Sequence, residues 1–324
     1  MAQILTYNQI DRQQWSELVQ TSETGTWFQS PVAYDFYASL PELMEPFVFA
    51  VDEGRELCAV CVGYVTKERN SIKQFFTRRA IILGGVVAVT NCAKDYVVDL
   101  LNYIRKDLQS KTIYIETRNF NDYSPWKEAF ESAGFVYMPH LNFHVDSSAN
   151  NLSDNRKRQL KKSDAIVTET TSESEIQEWY KVLAELYRTK VKTPLWPIEF
   201  FLEAYRQGIA KFLLVKYDGR NIGGSMVVAD EHTVYEWFEC GLNAEYKDQY
   251  PSVMATWGGI QLAHQSGCKR YDMMGAGEPG VPYGVRDFKA EFGGQLVEHG
   301  RFLCVTKPFL YKIGTIVVKI LKRK

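Results

Sequence analysis

Alternating hydrophobic and polar positions predict the same β-hairpin in both halves of the chain. The first hairpin covers 48–64, with apolar runs on either side of Glu53-Gly54, and the second covers 212–228 around Asp218-Gly219. An acidic residue followed by glycine between two such runs is a strong signal for a tight hairpin turn. The two turn glycines are 219 − 54 = 165 residues apart, about half the chain.

The elements that follow each hairpin also correspond. Apolar residues at helical spacing predict helices over 96–108 and 252–265, and apolar alternation predicts strands over 112–116 and 269–274. The same order of hairpin, helix and strand, found twice, predicts two similar units that mix α-helices and β-strands. A period this long indicates a duplicated domain, because solenoid repeats are much shorter.

The domain boundary is predicted from residues that break helices and strands. A helix over 126–134 and a strand over 135–145 close the first unit, and the polar cluster 146–155 follows. Helices over 174–190 and 197–207 open the second unit. The 324 residues are therefore predicted to form domains at 1–150 and 151–308, followed by a tail at 309–324.

Charge separates that tail from the rest of the chain. The 38 basic and 39 acidic residues give a net charge of −1, but 302–324 carries six basic residues and no acidic one. The rest of the chain must therefore carry −7. In the tail, the apolar positions share one helical face: Phe309, Leu310, Ile313, Ile316, Val317, Ile320 and Leu321. Such a basic amphipathic helix suits an anionic membrane surface, and it equally suits a terminal helix that docks onto its own domain.

Composition is that of a soluble globular protein. Hydrophobic residues make up 45% and charged residues 24%, which excludes disordered, collagen-like and disulfide-scaffold classes. Neither a signal peptide nor a run long enough to span a bilayer is present, so we expect a cytoplasmic protein. The six cysteines and five histidines are spaced unlike metal ligands, which predicts reduced thiols and no metal site.

Four motifs carry a resemblance to a known family. They are Gly25-Thr-Trp-Phe-Gln29-Ser-Pro31, Leu242-Asn-Ala-Glu-Tyr246 ahead of Tyr250-Pro251, Tyr271-Asp-Met-Met-Gly275, and Gly284-Val-Arg-Asp-Phe-Lys289-Ala-Glu-Phe-Gly293. With the element order, they resemble the Fem family of the GNAT acyltransferases, whose members build peptidoglycan interpeptide bridges with aminoacyl-tRNA. The resemblance implies tandem GNAT-like domains and an acyltransferase or aminoacyltransferase activity. It also implies active-site Lys289 and substrate-binding Gln29.

The chain departs from that family in two places. The stretch 174–207 is too short to hold a helical arm for tRNA beyond its two core helices, and 35–39 lacks the lysine that often follows the first motif. The resemblance therefore supports the fold and the reaction class better than it supports a peptidoglycan substrate.

Acyl transfer to an amine needs a donor for the oxyanion and a base for the proton. We expect Lys289 to stabilise the oxyanion; the alternative is a solvated lysine paired with Asp287 or Glu291. The alternation of strand 233–240 predicts that Tyr235, Trp237 and Glu239 share a face, with Glu239 as general base and the two aromatic residues beside the substrate. A strand packed in the core would show the same aromatic pattern.

Substrate contacts are also predicted near the last motif. Tyr283 and Arg286 follow the glycine-rich stretch 275–280, where the backbone could approach a ligand closely. The alternative is a long turn whose glycines serve only the backbone.

The donor site is predicted at the start of the helix over 252–265. Here Ser252 is the expected N-cap and Tyr250 lies beside it, but 244–252 contains no glycine with which to cradle a pyrophosphate. The run 156–162 holds five basic residues in seven, so Arg156 and Lys157 could contact a phosphate-rich donor; alternatively, the run is a solvated helix start. An aminoacyl-tRNA or acyl carrier therefore fits better than acyl-CoA as a donor co-substrate, and no permanently bound cofactor is expected.

The sequence thus predicts a Fem-like N-acyltransferase that moves an aminoacyl or acyl group onto an amine. The acceptor would be a cell-wall precursor, lipid-linked or soluble, reached from the inner face of the membrane. One alternative uses acyl-CoA or an acyl carrier on an amino sugar of an envelope polysaccharide. Another is a non-catalytic scaffold that retains the duplicated fold.

Overall fold

The structure is a computed structural model that describes residues 3–54, 56–68, 71–148 and 151–323, without the side chains of 71–73 and 317–323. The strands are β1 Gln3–Thr6, β2 Met44–Glu53, β3 Glu56–Thr66, β4 Ala80–Leu83, β5 Val87–Ala88, β6 Tyr114–Arg118, β7 Val136–Met138, β8 Leu141–Asp146, β9 Ile166–Glu169, β10 Ala210–Tyr217, β11 Arg220–Ala229, β12 Thr233–Gly241, β13 Arg270–Gly275, β14 Gln295–Glu298 and β15 Arg301–Val305. The helices are α1 Arg12–Thr21, α2 Pro31–Ala38, α3 Ser71–Thr77, α4 Lys94–Leu108, α5 Lys127–Ser132, α6 Asp154–Lys162, α7 Glu173–Leu186, α8 Ile198–Arg206, α9 Pro251–Gln265, α10 Gly284–Ala290 and α11 Pro308–Arg323.

These elements form two compact units, each built on its own sheet. The first unit comprises 1–140 and 298–324, and the second comprises 141–297. The strand order is β1-β2-β3-β4-β6-β15-β7 in the first sheet, with β5 also paired to β3, and β14-β8-β13-β12-β11-β10-β9 in the second. The predicted tandem α/β architecture is confirmed.

The repeated hairpin and helix are found in both units. β2 pairs with β3, and β10 pairs with β11, both antiparallel. The second turn has positive φ at Asp218 (49°) and Gly219 (70°), the geometry that an Asp-Gly turn supplies. In each unit the helix that follows, α4 or α9, packs its apolar face onto the sheet; Leu100 and Ile104 lie in the first core, and Ile260 and Ala263 in the second.

The domain boundary differs from the predicted one. The strand predicted over 135–145 is broken, because 139–140 interrupts it and its two parts join different sheets. β7 pairs with β15 in the first sheet, whereas β8 pairs with β13 in the second. The first unit therefore ends at 140 rather than 150. The chain then returns to it at 298 because β15 pairs with β6.

The tail also belongs to the first unit. The ring of Tyr311 on α11 contacts that of Tyr114 on β6, with centroids 5.5 Å apart. The start of α11 thus supports the alternative of a terminal helix that docks onto its own domain, but that domain is the first unit and not the one predicted over 151–308. Phe309 and Ile316 are exposed, whereas the side chains of Val317, Ile320 and Leu321 lie outside the described residues. No helix in the described part of the chain is both long and apolar enough to span a membrane.

Candidate active site

The candidate site lies in the second unit, where two parallel strands part. β12 pairs with β13 over only three positions, from Thr233 opposite Arg270 to Tyr235 opposite Asp272. On its other edge β12 carries a bulge, because Val227 pairs with Glu236 while its neighbour Met226 pairs with Phe238. A bulge of this kind adds one residue and re-aims the side chains that follow.

The bulge changes the face on which the predicted residues lie. Trp237 and Phe238 both contact the ring of Phe200 on α8, with centroids 5.2 and 6.1 Å away. Glu239 instead lies beside Ser252 of α9. The prediction that Tyr235, Trp237 and Glu239 share a face is therefore wrong, because strict alternation does not pass through a bulge.

Tyr235 is part of the core rather than of an open surface. It is fully buried, and its hydroxyl donates to Oδ2 of Asp230 at 2.9 Å. Burial, with Asp230 next, raises its pKa well above the usual value for tyrosine. The side chain therefore holds its own strand, as the alternative interpretation expected.

Three acidic side chains and one lysine gather where the strands part. Glu236 and Asp272 are buried, and the half-buried Glu239 lies within electrostatic reach of Glu236 and of Lys289. The hydroxyl of Tyr271 donates to Oε2 of Glu236 at 2.6 Å. The pKa of Glu236 is raised, since burial outweighs the opposing effects of Lys289 and Tyr271. Buried charged groups that shift one another's pKa in this way are a recurrent feature of active sites.

Glu239 titrates far from the usual range of a glutamate. Burial and, next, the charge of Glu236 raise its pKa to about 8, against the opposing effects of Ser252 and Lys289. Its Oε1 is buried and has no hydrogen-bond partner among the described residues. A carboxyl group that titrates near neutral pH can both accept and release a proton there.

Lys289 is anchored to the end of β13. It is buried on α10, and its Nζ donates to the carbonyl oxygens of Met273 and Gly275, the latter at 2.8 Å. Burial lowers its pKa, while the attraction of Glu236, Asp272 and Glu239 opposes that change. Two of its three N–H groups are thus engaged by the backbone, and the predicted oxyanion role rests on the third.

A histidine that the sequence analysis did not select extends this cluster. His144 on β8 is the cross-strand partner of Asp272, and its Nε2 lies 3.2 Å from Oδ2 of Asp272. The other oxygen of Asp272 accepts from the backbone N–H of Met274 at 2.6 Å. Met274 has a positive φ of 58°, so Asp272 and Lys289 together hold a strained end of β13.

The start of α9 differs from the predicted donor cradle. The helix begins at Pro251, and Tyr250 precedes it in a left-handed conformation with φ of 48°. Ser252 lies in the first turn and is not the N-cap; its backbone N–H donates to Oδ1 of Asn243 at 3.1 Å. Pro251 has no N–H, so the first turn offers fewer free donors to an anion than a typical helix start does.

The remaining donor candidates differ in burial. Arg156 is only 5% exposed, and its guanidinium lies over the rings of Phe288 (4.5 Å) and Phe292 (5.1 Å). Its Nη2 also donates to the carbonyl of Phe288 at 3.2 Å. Lys157 is exposed, with Asp154 3.8 Å away. Arg156 therefore fastens α6 to the 288–292 segment, while Lys157 remains accessible.

Of the remaining substrate candidates, Arg286 and Gln29 form hydrogen bonds with the backbone, and Tyr283 is exposed. Arg286 donates to the carbonyls of Ala276 (2.9 Å), Glu278 (2.5 Å) and Val281 (3.1 Å), so it closes the glycine-rich loop. Tyr283 is exposed at the start of α10. Gln29 lies in the first unit, fully buried, where it bonds the backbone of Val62 and Leu83. The structure does not bring Gln29 together with Lys289 and Glu239 in one unit.

Histidine, cysteine and acidic side chains are of the kind that ligate metal ions in proteins. The described residues contain no group of three or more of them that could hold such an ion. All six cysteines are free thiols.

Comparisons with known proteins agree with this architecture. Residues 147–289 match the family model described as an acetyltransferase (GNAT) domain. A search of curated protein sequences finds no match.

Three solved structures share the fold over nearly the whole chain. FemX superposes with a TM-score of 0.72 at 14% identity, covering 96% of this chain and 99% of FemX. A tandem GNAT protein from the clavulanic acid biosynthesis pathway gives 0.59 at 9% identity, over 94% and 99% of the two chains. L-PGS from Bacillus licheniformis gives 0.55 at 11% identity, over 97% of each.

The resemblance expected from the sequence motifs is thus confirmed at the level of fold. The second unit, where the two strands part around Glu239 and Lys289, is also the unit that matches the GNAT model. The chain thus has the fold of two GNAT-like units in tandem, which it shares with FemX and with the tandem GNAT protein, and its second unit matches the GNAT acetyltransferase model.

Proposed function

We propose that the chain is an N-acyltransferase that moves an activated acyl or aminoacyl group onto an amine, with Glu239 as the general base. The amine nitrogen attacks the acyl carbonyl and forms the new C–N bond, while its proton passes to the carboxylate of Glu239. The carrier leaves with the electron pair of its bond to the acyl carbon and takes up a proton. No covalent enzyme intermediate is needed.

One observation carries this proposal: a carboxyl group with a pKa raised to about 8, in the gap between two parted strands. A base is most effective when its pKa lies near the working pH, since it is then both available and strong enough. Most glutamates titrate near pH 4 and would be much weaker bases. The buried, unpartnered Oε1 supports Glu239 as the group that meets the amine.

The neighbouring groups would position this base. Lys289 and Asp272 hold the end of β13, and Glu236 raises the pKa of Glu239 through like-charge repulsion. Past Tyr235, β12 no longer pairs with β13, so backbone N–H groups on that edge can point at a developing oxyanion. The third N–H of Lys289 would add to them.

A non-catalytic scaffold fits these residues poorly. Bringing three carboxyl groups and a lysine out of water costs free energy that an apolar core would not. Proteins that need only a stable fold have no reason to keep such a cluster, whereas active sites commonly do.

The donor is either an aminoacyl-tRNA or acyl carrier, as in the Fem resemblance, or acyl-CoA. Few N–H groups are free at the start of α9, because Pro251 has none and that of Ser252 donates to Asn243. This supports an aminoacyl-tRNA or acyl carrier, which other contacts would hold. The match to a GNAT acetyltransferase model supports acyl-CoA, as does the likeness to the tandem GNAT protein, whose structure is described as one without AcCoA. An amino sugar acceptor goes with acyl-CoA as the second candidate function.

We further propose that the acceptor is a cell-wall or other envelope precursor met at the inner face of the membrane, with α11 against the lipid. The exposed Phe309 and Ile316, together with the basic residues of the tail, support this orientation. Flotation with anionic vesicles would test it: deleting 309–324 should abolish binding, and unchanged binding would contradict the membrane role.

The donor experiment uses the full chain with a panel of amines and either acetyl-CoA or charged tRNA. Release of the free thiol or of deacylated tRNA identifies the donor. Glu239→Gln should slow that release about 10²- to 10⁴-fold, whereas the change Glu178→Gln at an exposed glutamate on α7 of the same unit should preserve it. Full turnover by Glu239→Gln would remove the proposed mechanism.

A further inference from the structure

A second cluster of charged residues lies in the first unit and has no part in the proposed reaction. It is built on one face of β6 and β15, where Leu303 pairs with Glu116. Continuing that antiparallel register by two residues brings Arg301 opposite Arg118. Like charges in opposite positions on neighbouring strands destabilise a sheet unless something compensates them.

One carboxylate compensates part of this charge. Oε1 of Glu116 accepts from Nη1 of Arg301 at 2.7 Å and from Nε of Arg118 at 3.3 Å. Burial raises the pKa of Glu116, but the attraction of the two arginines outweighs it, so the pKa is lowered and the group is ionised. One negative charge thus faces two positive ones.

A third arginine lies within electrostatic reach of the same face. Burial raises the pKa of Tyr114 on β6, while Arg79 and Arg118 both oppose that change. The same two arginines act on Tyr64 of β3. Among the described residues Glu116 is the one carboxylate that pairs with Arg118 and Arg301, so at least one positive charge on this face has no negative partner there.

Several donors of this cluster are unused. Nε of Arg301 is buried and has no hydrogen-bond partner among the described residues, and its Nη2 lies 2.9 Å from Nε2 of His140. The side chain of Arg118 is 39% exposed, and its two Nη atoms have no partner in the described part of the chain. Burial, with the charge of Arg118 next, lowers the pKa of Arg301, as expected where cations crowd together.

We propose that Arg118 and Arg301, with Arg79 within electrostatic reach of the same face, bind a small molecule through an oxyanion, either a carboxylate or a phosphate group. Two oxygens of such a group match the planar fork of a guanidinium, and a negative charge relieves the repulsion between the opposed arginines. The site lies wholly in the first unit and is independent of the acyl transfer proposed for the second.

Ligand binding to the folded protein is the direct test. The full chain is titrated calorimetrically with inorganic phosphate and, separately, with acetate, each against sodium chloride of equal ionic strength. We expect saturable binding of at least one probe and a higher unfolding temperature in its presence. Phosphate binding alone identifies a phosphate group as the ligand, and acetate binding alone identifies a carboxylate.

Variants assign the binding to this cluster. Arg118→Gln should weaken the binding at least tenfold, and Arg118→Lys should weaken it partly because it keeps the charge but loses the fork. Arg12→Gln removes an exposed arginine of the same unit, paired with Asp35, and should change nothing. Glu116 retains Arg301 as a partner in Arg118→Gln, so that variant should fold; if it does not, Arg118→Lys serves instead.

Two results would overturn the proposal. One is the absence of saturable binding by wild-type protein with either probe beyond the chloride control. The other is equal affinity in wild type and in the folded Arg118 variant.

Discussion

The strand pairing is interrupted at a corresponding position in each unit, but the second unit places ionisable side chains there and the first unit places neutral ones. In the second unit the bulge of β12 and the end of β13 surround Glu236, Glu239 and Lys289. In the first unit β4 ends at Leu83, and β5 resumes the pairing with β3 at Val87. The interruption thus falls, as in the second unit, in the strand that follows the hairpin. Gly84 and Gly85 make that interruption with positive φ of 85° and 71°.

Neutral hydroxyl groups close the interruption in the first unit. The hydroxyl of the buried Tyr123 donates to the carbonyls of Gly84 and Val86, the latter at 2.8 Å, and Thr24 donates to Val86 at 3.2 Å. A Cβ on Gly85 would lie 2.5 Å from the ring of Tyr123, so the glycine lets the ring fill the space. This packing stabilises the unit through hydroxyl groups, which are neutral near pH 7.

The side chains at this position therefore stabilise the fold in the first unit, whereas in the second unit they can exchange protons. Hydroxyl-to-carbonyl bonds satisfy buried polar groups at low cost, whereas buried carboxyl groups lower stability unless their partners offset the desolvation. Such groups are therefore found more often where a function needs them. The four predictions below test that division, beginning with the largest expected effect.

Glu239→Gln should lower turnover by about 10²- to 10⁴-fold, the usual contribution of a positioned general base. Steady-state rates with the identified donor measure it. Tyr123→Phe, the matched change in the first unit, should leave the rate unchanged. An equal loss of turnover in both variants would contradict the assignment of catalysis to the second unit.

Lys289→Met should lower the free energy of unfolding by about 3 kcal/mol, because it leaves buried carbonyls and carboxylates without their cation. Denaturant unfolding measures this. The loss should grow between pH 5 and 8 as the carboxyl groups ionise. Gln29→Leu in the first unit removes neutral hydrogen bonds only, so its cost should not change with pH; parallel pH curves for the two variants would contradict the account.

Wild-type stability should fall as pH rises from about 5 to 8. The pKa of Glu239 is raised in the folded protein, so between the unfolded and folded values the folded state holds a proton that the unfolded state has released. The stability that Glu239 contributes is fully present below the pKa of the unfolded state. It is lost as the pH rises to about 8, at up to about 1.4 kcal/mol for each pH unit. Glu239→Gln should lose less stability over this range. A wild-type curve as flat as that of the variant would count against the raised pKa.

Tyr123→Phe should cost about 1–2 kcal/mol of stability, since the carbonyls of Gly84 and Val86 lose a buried donor. Thermal or denaturant unfolding would show it. This loss of stability should not change with pH. A loss that does change with pH would show that an ionisable group takes part in the packing around Tyr123, contrary to the comparison.

Local patterns allowed much of this architecture to be predicted. Both hairpins and the helices at 96–108 and 252–265 depend on neighbouring residues. The two helices and the second hairpin were predicted within two residues of their bounds, and the first hairpin within four. Sheet partners are distant in sequence, so the break at 139–140 and the return of β15 to the first sheet could not be inferred.

The candidate site was predicted only in part, for similar reasons. Motif and chemistry selected Glu239 and Lys289, but alternation placed Glu239 on the wrong face because the bulge at Trp237 has no local signal. Glu236 was missed for the same reason. His144 was missed because it meets Asp272 across a pair of strands more than 120 residues apart in sequence.

Direct titration of Glu239 tests the central claim. Carbon-13 NMR of protein labelled at the glutamate carboxyl carbons, with Glu239→Gln to assign the signal, measures its pKa without any substrate. The account predicts a midpoint of about 8. A midpoint near 4.5, as in an exposed glutamate, would contradict the role of Glu239 as the base.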